Sequence, residues 1–424
     1  MVMPTTLAEW LVYLEALHPS TIDMGLERIA RVRDRMGLVP VFPVITVAGT
    51  NGKGSVCAFL GAVFHAAGYR AGVYTSPHLL RYNERVRVDL DQADDAALCR
   101  AFAAVEQARG DVSLTYFEFG TLAAMWHFQQ CGVDVAILEV GLGGRLDAVN
   151  VFEPDCAAVV TVDLDHQEYL GNDREAIGRE KAGIFRAGKP AICGDALPPA
   201  SLLTYAETIG APLLCIGRDF GFQRQELQWS FWGPHGKHLS LPFPGLRGGY
   251  QLNNASVALA ILAEMRSRLP VSVGDIKRGL LEVDWPGRFQ VLPGRPTTIF
   301  DVGHNPHAAR ALAGSLKTMG YHPQTYAVFS MLRDKDLAEV AAAVNDQIDV
   351  WLVAGLDLPR GMSGEEVAAQ LAAANTRGKV LVYTDIAEAY SAACDKAAEN
   401  DRIVVFGSFH TVAEAIAARR IRGH

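Results

Sequence analysis

In the stretch Val44-Ile45-Thr46-Val47-Ala48-Gly49-Thr50-Asn51-Gly52-Lys53-Gly54-Ser55-Val56, an apolar run gives way at once to a glycine-rich turn. Val56, Phe59, Leu60, Val63 and Phe64 then recur at helical spacing. Strand, glycine-rich turn, helix is the order that a phosphate loop requires. Glycines let backbone N–H groups face an anion, Lys53 adds a mobile positive charge, and the helix start adds its dipole. The spacing departs from the common form, because Gly54 separates Lys53 from Ser55 and Gly49 lies closer to the lysine. An ordinary strand-to-helix turn is the bland alternative, and the placement of Lys53 weighs against it. A regulatory GTPase would also need a base-reading Asn-Lys-x-Asp segment, and the chain has none.

Working outward, the alternation continues. Thr6 and Glu9 form a capping-box pattern ahead of Leu7, Trp10, Leu11 and Leu14, which predicts a first helix, and a second covers Leu26 to Met36. Strands are expected at Val73-Tyr74, Val135 to Val140 and Ala157 to Val162, with a helix over Thr121 to Gln130. Leu213 to Gly249 lacks helical periodicity and reads as short antiparallel strands or an irregular insertion at a sheet edge. A helix resumes at Asn254. Beyond residue 290, strands at Thr298 to Val302, Tyr326 to Ser330, Val350 to Val353, Val380 to Tyr383 and Ile403 to Phe406 alternate with Ala-rich helices. The expected fold is α/β: an N-terminal P-loop ATPase-like domain with a mostly parallel sheet, residues 1–292, and a smaller C-terminal Rossmann-like α/β domain, residues 293–424. The boundary is placed in the Pro- and Gly-containing stretch Val291 to Pro296.

Bulk composition narrows the class. The 424 residues exceed what one core usually serves, and 50% hydrophobic with 20% charged residues is a globular balance. With 39 basic and 47 acidic side chains the formal charge is −8, which argues against a general nucleic-acid binder but permits a local anion site. No apolar run is long enough for a bilayer, and Glu9 and Glu15 interrupt the N-terminal apolar stretch, so neither a membrane span nor a signal peptide is read. The seven cysteines are scattered without a Cys-x-x-Cys pair, which points to free thiols and a cytoplasmic location.

Polar residues stand where apolar strands end. Ser76, Glu139 and His166 would all lie at the carboxyl edge of a parallel sheet, where such folds bind ligands. Hydroxyl, carboxylate and imidazole together suit a Mg²⁺ shared with a nucleotide phosphate; singly, each reads as well as a structural group. Lys181 is either a helix-surface lysine or a lysine converted by CO₂ to an anionic carbamate ligand. Arg288 suits a polyphosphate, while Asp301 and Asn305 read equally as caps beside His304.

Taken together, VAGTNGKGS (47–55), TSPHLLRYNERV (75–86), TYFEFGTLAA (115–124), ILEVGLGGRLDAVN (137–150), DLDHQEYLGNDREAIGREKAGIF (163–185), PGRFQ (286–290), FDVGHNPHAA (300–309), MLRDKD (331–336) and FGSFHTV (406–412) resemble, in order, the bifunctional dihydrofolate synthase/folylpolyglutamate synthase family of the Mur ligase superfamily. The resemblance spans nearly the whole chain except about 197–246. It implies an ATP-dependent ligase that adds L-glutamate to dihydropteroate and to the tail of reduced folates through an acyl phosphate. Lys53 and the amides of Thr50, Asn51, Gly52, Gly54 and Ser55 would hold ATP phosphates, with Asn254, Arg288 and Asp301 also on the nucleotide. Ser76, Glu139 and His166 would ligate one Mg²⁺, and a carbamylated Lys181 a second; a K⁺ site stays open. Phe117, Arg145 and Asp147 would bind the pteroyl group. His304 would approach the reacting phosphate, and Asp334, Lys335, Ser408 and His410 would face the glutamate side. The partners implied are these small molecules, with no nucleic acid or membrane, acting on a monomer. Three alternatives stay open: a folylpolyglutamate synthase alone, another Mur-type amino-acid ligase, and a nucleotide switch without ligase activity.

Overall fold

The apolar run before the phosphate loop is β1 (Val44–Ala48), buried along its whole length in the computed structural model, which describes residues 3–422. A strand buried on both faces belongs inside a parallel sheet covered by helices. The sheet also contains β2 (Ala71–Tyr74), β3 (Val86–Val88), β4 (Asp91–Gln92), β5 (Val135–Glu139), β6 (Cys156–Val159), β7 (Ala191–Cys193) and β8 (Leu213–Cys215). Its spatial order is β4-β3-β2-β5-β1-β6-β7-β8. Only β3 and β4 run antiparallel to their neighbours. After β1 the chain builds β2 and β5 on one side and β6 on the other, so β1 marks a switch in direction, where a crevice opens at the carboxyl ends. Register sets Val47 beside Glu139 and Ala48 beside Val159.

The helix Lys53–Ala66 follows the loop and is buried on nearly every side, as a helix apolar all round must be. Phe59, Leu60 and Phe64 are fully buried, each stabilising the unit by roughly 1.5–3 kcal/mol. At the N-terminus the expected capping box forms between Thr6 and Glu9, and the helix Leu7–Leu17 buries Leu7, Trp10 and Leu14. Residues 213–249 divide: β8 extends the main sheet in parallel, whereas β9 (Gly221–Arg224), β10 (Trp229–Gly233) and β11 (Gly236–Leu241) form a separate antiparallel sheet. The expectation of antiparallel strands therefore fails at Leu213–Cys215, whose short apolar run pairs with β7. The helix Gln251–Met265 starts three residues before Asn254 and carries it in the first turn.

Contacts divide the chain into two units, Met1–Gly245 with Leu252–Val283, and Leu246–Gln251 with Asp284–His424. The second unit holds β12 (Gln290–Leu292), β13 (Thr297–Asp301), β14 (Thr325–Phe329), β15 (Val350–Ala354), β16 (Lys379–Tyr383) and β17 (Arg402–Phe406) in the order β12-β13-β17-β14-β15-β16. Five strands are parallel, and β12 pairs antiparallel with β13. This pairing explains why the division falls at 283 and not at 291–296: the Pro- and Gly-containing stretch is the turn of a hairpin inside the second unit. Ala327, Phe329, Trp351, Val404 and Phe406 centre that unit's core. Among the described residues, no helix is long and apolar enough to cross a membrane.

Candidate functional site

The loop after β1 is pinned to the segment after β6. Thr50 N–H donates to the Thr161 carbonyl at 2.8 Å, and Asn51 N–H to Thr161 Oγ1 at 3.0 Å. The Thr50 hydroxyl donates to the Asp163 carbonyl and accepts from Asp163 N–H, both at 3.0 Å. The amides of Thr50 and Asn51 are thus engaged within the protein, which differs from their expected role as phosphate donors. The helix begins at Lys53, and the N–H groups of a first helical turn have no carbonyl of an earlier turn to serve. Gly52 has φ 87°, and a Cβ there would lie 2.6 Å from Asn254 Oδ1. Only glycine allows this turn and the approach of Asn254 together. Lys53 Nζ folds back onto the carbonyls of Gly49 (2.9 Å) and Thr50 (3.4 Å).

Glu139 ends β5 and is buried. Its Oε2 accepts the Ser76 N–H at 3.2 Å, so the ends of β2 and β5 meet beside the loop. Cys57, one helical turn beyond Lys53, senses both: burial raises its thiol well above the usual range, Glu139 raises it further, and Lys53 opposes. His166 follows β6 in the left-handed region at φ 51°, with its N–H on Asp165 Oδ1 at 2.9 Å. A left-handed non-glycine residue is uncommon and marks a constrained position.

Lys181 is not a surface lysine; it is 4% exposed at the end of the helix Arg174–Ala182. Burial, and then the charge of Lys53, lower its pKa from 10.5 to about 7, with Asp165 and Asp147 opposing. Asp147 is pushed up to about 6 by burial, against the amides of Leu142, Val149 and Gly141 and the Lys53 charge. Lys53, Lys181, Asp147 and Asp165 therefore share one electrostatic neighbourhood. Among the described residues, no three His, Cys, Asp or Glu side chains make a ready cation cage. Of Ser76, Glu139 and His166, the Ser76 N–H meets the Glu139 carboxylate, and one protein carboxylate with water and phosphate is a common environment for Mg²⁺.

Phe117 stacks on Tyr74 (centroids 5.8 Å apart, planes at 27°). A Cβ on Gly141 would strike the Phe117 ring at 2.8 Å, so ring and loop 141–147 form one surface. Arg145 lies on that loop, bound to Glu180. Asp147 spends both oxygens on the Leu142 and Val149 amides.

In the second unit, Asp301 ends β13 and is buried, accepting from Gly303 N–H (2.8 Å) and Phe289 N–H (2.9 Å). Burial raises its pKa, and these bonds and Arg288 oppose. The Arg288 guanidinium lies 5.1 Å over the Phe409 ring. His304 Nδ1 contacts the Val302 carbonyl at 2.9 Å, which assigns the Nδ1–H tautomer to the neutral ring. Ser408 caps the helix Phe409–Ile421 through Thr411 N–H at 3.0 Å, so its hydroxyl has a structural duty. Arg360 links the remaining pair: it donates to Asp334 Oδ2 at 3.2 Å, and after partial burial its charge holds His410 below the usual pKa. Lys335 occupies the same turn after β14. Asp301, Ser408 and Asp334 thus sit at or just beyond the carboxyl ends of three adjacent strands, β13, β17 and β14.

The sequence reading missed Thr161, Asp163, Asp165 and Glu180. A second acid in DLDHQ was a visible signal for Asp165; no local pattern marked the others.

Residues 47–262 match the Mur ligase middle domain, and residues 287–409 the Mur ligase glutamate ligase domain. The chain is 46% identical over 421 residues to the dihydrofolate synthase/folylpolyglutamate synthase of Escherichia coli (strain K12), covering 98% of this chain and 97% of that one. It is 39% identical over 427 residues to the enzyme of the same name from Haemophilus influenzae, covering 96% of each. Among solved structures, E. coli FolC in complex with DHPP and ADP superposes with a TM-score of 0.94 at 44% identity, covering 100% of both chains. A bifunctional folylpolyglutamate synthase/dihydrofolate synthase with Mn, AMPPNP and L-glutamate bound gives 0.91 at 44% identity, covering 99% of this chain and 100% of that one. With both domains matched and identity sustained along its length, the chain belongs to the dihydrofolate synthase/folylpolyglutamate synthase family of Mur ligases.

Proposed function

We propose that this chain is an ATP-dependent ligase that joins L-glutamate to dihydropteroate and to the glutamate tail of reduced folates. The observation that carries this reading is the match sustained over both Mur ligase domains to enzymes of this activity, beside a phosphate-loop lysine whose charge acts on the buried Lys181. The chemistry follows from the acceptor. A carboxylate resists attack by an amine because oxide is too poor a leaving group. Transfer of the ATP γ-phosphoryl group to the carboxylate makes an acyl phosphate and ADP. The glutamate amine then adds to the carbonyl, and the tetrahedral intermediate expels phosphate.

Catalysis here is mostly positioning and charge neutralisation. One Mg²⁺ held by Ser76, Glu139 and His166, and a second held by a carbamate on Lys181, would neutralise charge on the phosphates. Lys53 exchanges its two loop carbonyls for phosphate oxygens, and the amides at the start of its helix add further donors. Asn254, packed against Gly52, adds a polar contact to the nucleotide. Lys181 is suited to carbamate formation because only the neutral amine attacks CO₂, and a pKa of about 7 leaves about half of it neutral at pH 7. The new N–C bond forms as the nitrogen loses a proton, and an anionic oxygen ligand replaces a buried cation.

Phe117 offers its face to the flat pteroyl ring, and Arg145 a cation to the same acceptor. Asp147 acts through the shape of its loop. In the second unit, Arg288 and Asp301 are proposed for the nucleotide. The Val302 carbonyl fixes the ring of His304 through Nδ1, and His304 is proposed for the phosphate and glutamate side of the reaction. Asp334, Lys335 and His410 are proposed for glutamate, with Ser408 shaping their turn. We propose a monomer in the cytoplasm, and the seven cysteines, all free thiols, are compatible with a reducing compartment. The test is ADP release by the purified protein with ATP, Mg²⁺ and L-glutamate, supplying dihydropteroate and then a reduced folate. Release with neither acceptor refutes the assignment, and release with the folate alone reduces it to a folylpolyglutamate synthase.

A further inference from the structure

The acceptor loop is fastened to the helix that carries Lys181 by two kinds of contact. The first is backbone docking: Arg145 N–H donates to the Glu180 carbonyl at 2.8 Å, and Asn150 Nδ2 donates to the carbonyls of Arg145 (2.9 Å) and Gly183 (3.2 Å). Gly144 presses against the Glu180 and Lys181 carbonyls with no room for a side chain. These contacts seat the loop without any carboxylate. The second is a side-chain pair. Arg145 Nε and Nη2 both donate to Glu180 Oε1, at 3.0 and 2.8 Å. The arginine side chain is 53% exposed while that of Glu180 is 20% exposed. Glu180 Oε2 is buried and has no hydrogen-bond partner. A carboxylate with one oxygen left unsatisfied is a poor device for stability alone. Both of its hydrogen bonds go to one exposed guanidinium.

We propose that Glu180 is a positioning residue for the acceptor, holding the Arg145 guanidinium in the orientation that meets the pteroyl substrate. The proposal rests on the reading of Arg145 as an acceptor contact. An untethered arginine has many rotamers, and their loss on binding weakens affinity; the Glu180 bond removes that loss beforehand. The effect belongs to acceptor binding, not to phosphoryl transfer.

The experiment is steady-state kinetics, with dihydropteroate and ATP varied separately, for Glu180→Ala, Glu180→Gln, Arg145→Ala and the double variant Arg145→Ala/Glu180→Ala. Glu180→Ala is expected to raise the acceptor KM about fivefold with kcat and the ATP KM unchanged, the size set by a half-exposed ion pair plus restored arginine freedom. Glu180→Gln retains an oxygen acceptor and rescues part of the loss. In the Arg145→Ala background, Glu180→Ala adds nothing. An undiminished effect in that background, or a change confined to kcat or the ATP KM, overturns the proposal. An unaltered acceptor KM in Arg145→Ala refutes the acceptor reading itself. A raised KM in Arg145→Ala beside an unaffected Glu180→Ala refutes only the positioning role.

Discussion

Replacing Lys181 with methionine should stabilise this protein while abolishing its activity. Lys181 is 4% exposed, and burial followed by the Lys53 charge lowers its pKa from 10.5 to about 7. A folded-state pKa below the unfolded value means that the unfolded chain binds more protons between those two limits. Stability therefore rises with pH across about 7 to 10.5, and the full penalty is present below pH 7. The displacement corresponds to about 5 kcal/mol. Methionine has a similar length and no charge, so Lys181→Met should recover about 2–4 kcal/mol of it at pH 6, the remainder being lost to imperfect packing. For a unit of this size that is a rise in Tm of about 3–7 °C. The assay is calorimetry of metal-free protein in CO₂-depleted buffer at pH 6, 7.5 and 9. The advantage of Lys181→Met should shrink steadily as pH rises. A variant less stable than the parent at pH 6, or an advantage independent of pH, would refute the claim that a buried, electrostatically opposed amine stands at 181.

Three further outcomes follow from the same geometry. Lys53→Ala should lower glutamate-dependent ADP release by at least about 100-fold, since charge on the transferring group loses its mobile cation; near-parental turnover would remove Lys53 from the reaction. Gly52→Ala places a side chain at φ 87° against Asn254, so the ATP KM should rise at least about tenfold with less effect on the acceptor KM, and equal effects on both would contradict the placement. Asp147→Ala orphans the amides of Leu142 and Val149, which should cost about 1–2 kcal/mol in denaturant unfolding and raise the acceptor KM; a change confined to the ATP KM would contradict its loop-shaping role.

The parts of the site that were legible in the sequence are those written in contiguous residues. The loop 49–55 follows an apolar strand and precedes an apolar helix, and that local grammar suffices. Glu139 stands out because a carboxylate ends the apolar run Val135-Ala136-Ile137-Leu138 just before a glycine-rich turn. Lys181 was the opposite case: its helix carries Arg174, Glu175, Arg179 and Glu180 around it, so periodicity alone left it on the surface, and burial came from packing against loop 141–147. The engagement of Thr50 and Asn51 by Thr161 depends on a contact across more than a hundred residues, which no local pattern reports. The hairpin β12–β13 misled for a similar reason. Gly294 and Pro296 have the composition of a linker, yet pairing on both sides makes them a turn.

The most direct test of the account follows the oxygen atoms of the acceptor. Dihydropteroate labelled with ¹⁸O in its carboxylate is incubated with the enzyme, ATP, Mg²⁺ and L-glutamate, and the products are read by mass spectrometry. An acyl-phosphate route predicts dihydrofolate retaining one label, and inorganic phosphate carrying one ¹⁸O for each amide bond formed. Dihydrofolate accompanied by unlabelled phosphate, or ATP consumed without any dihydrofolate, would contradict it.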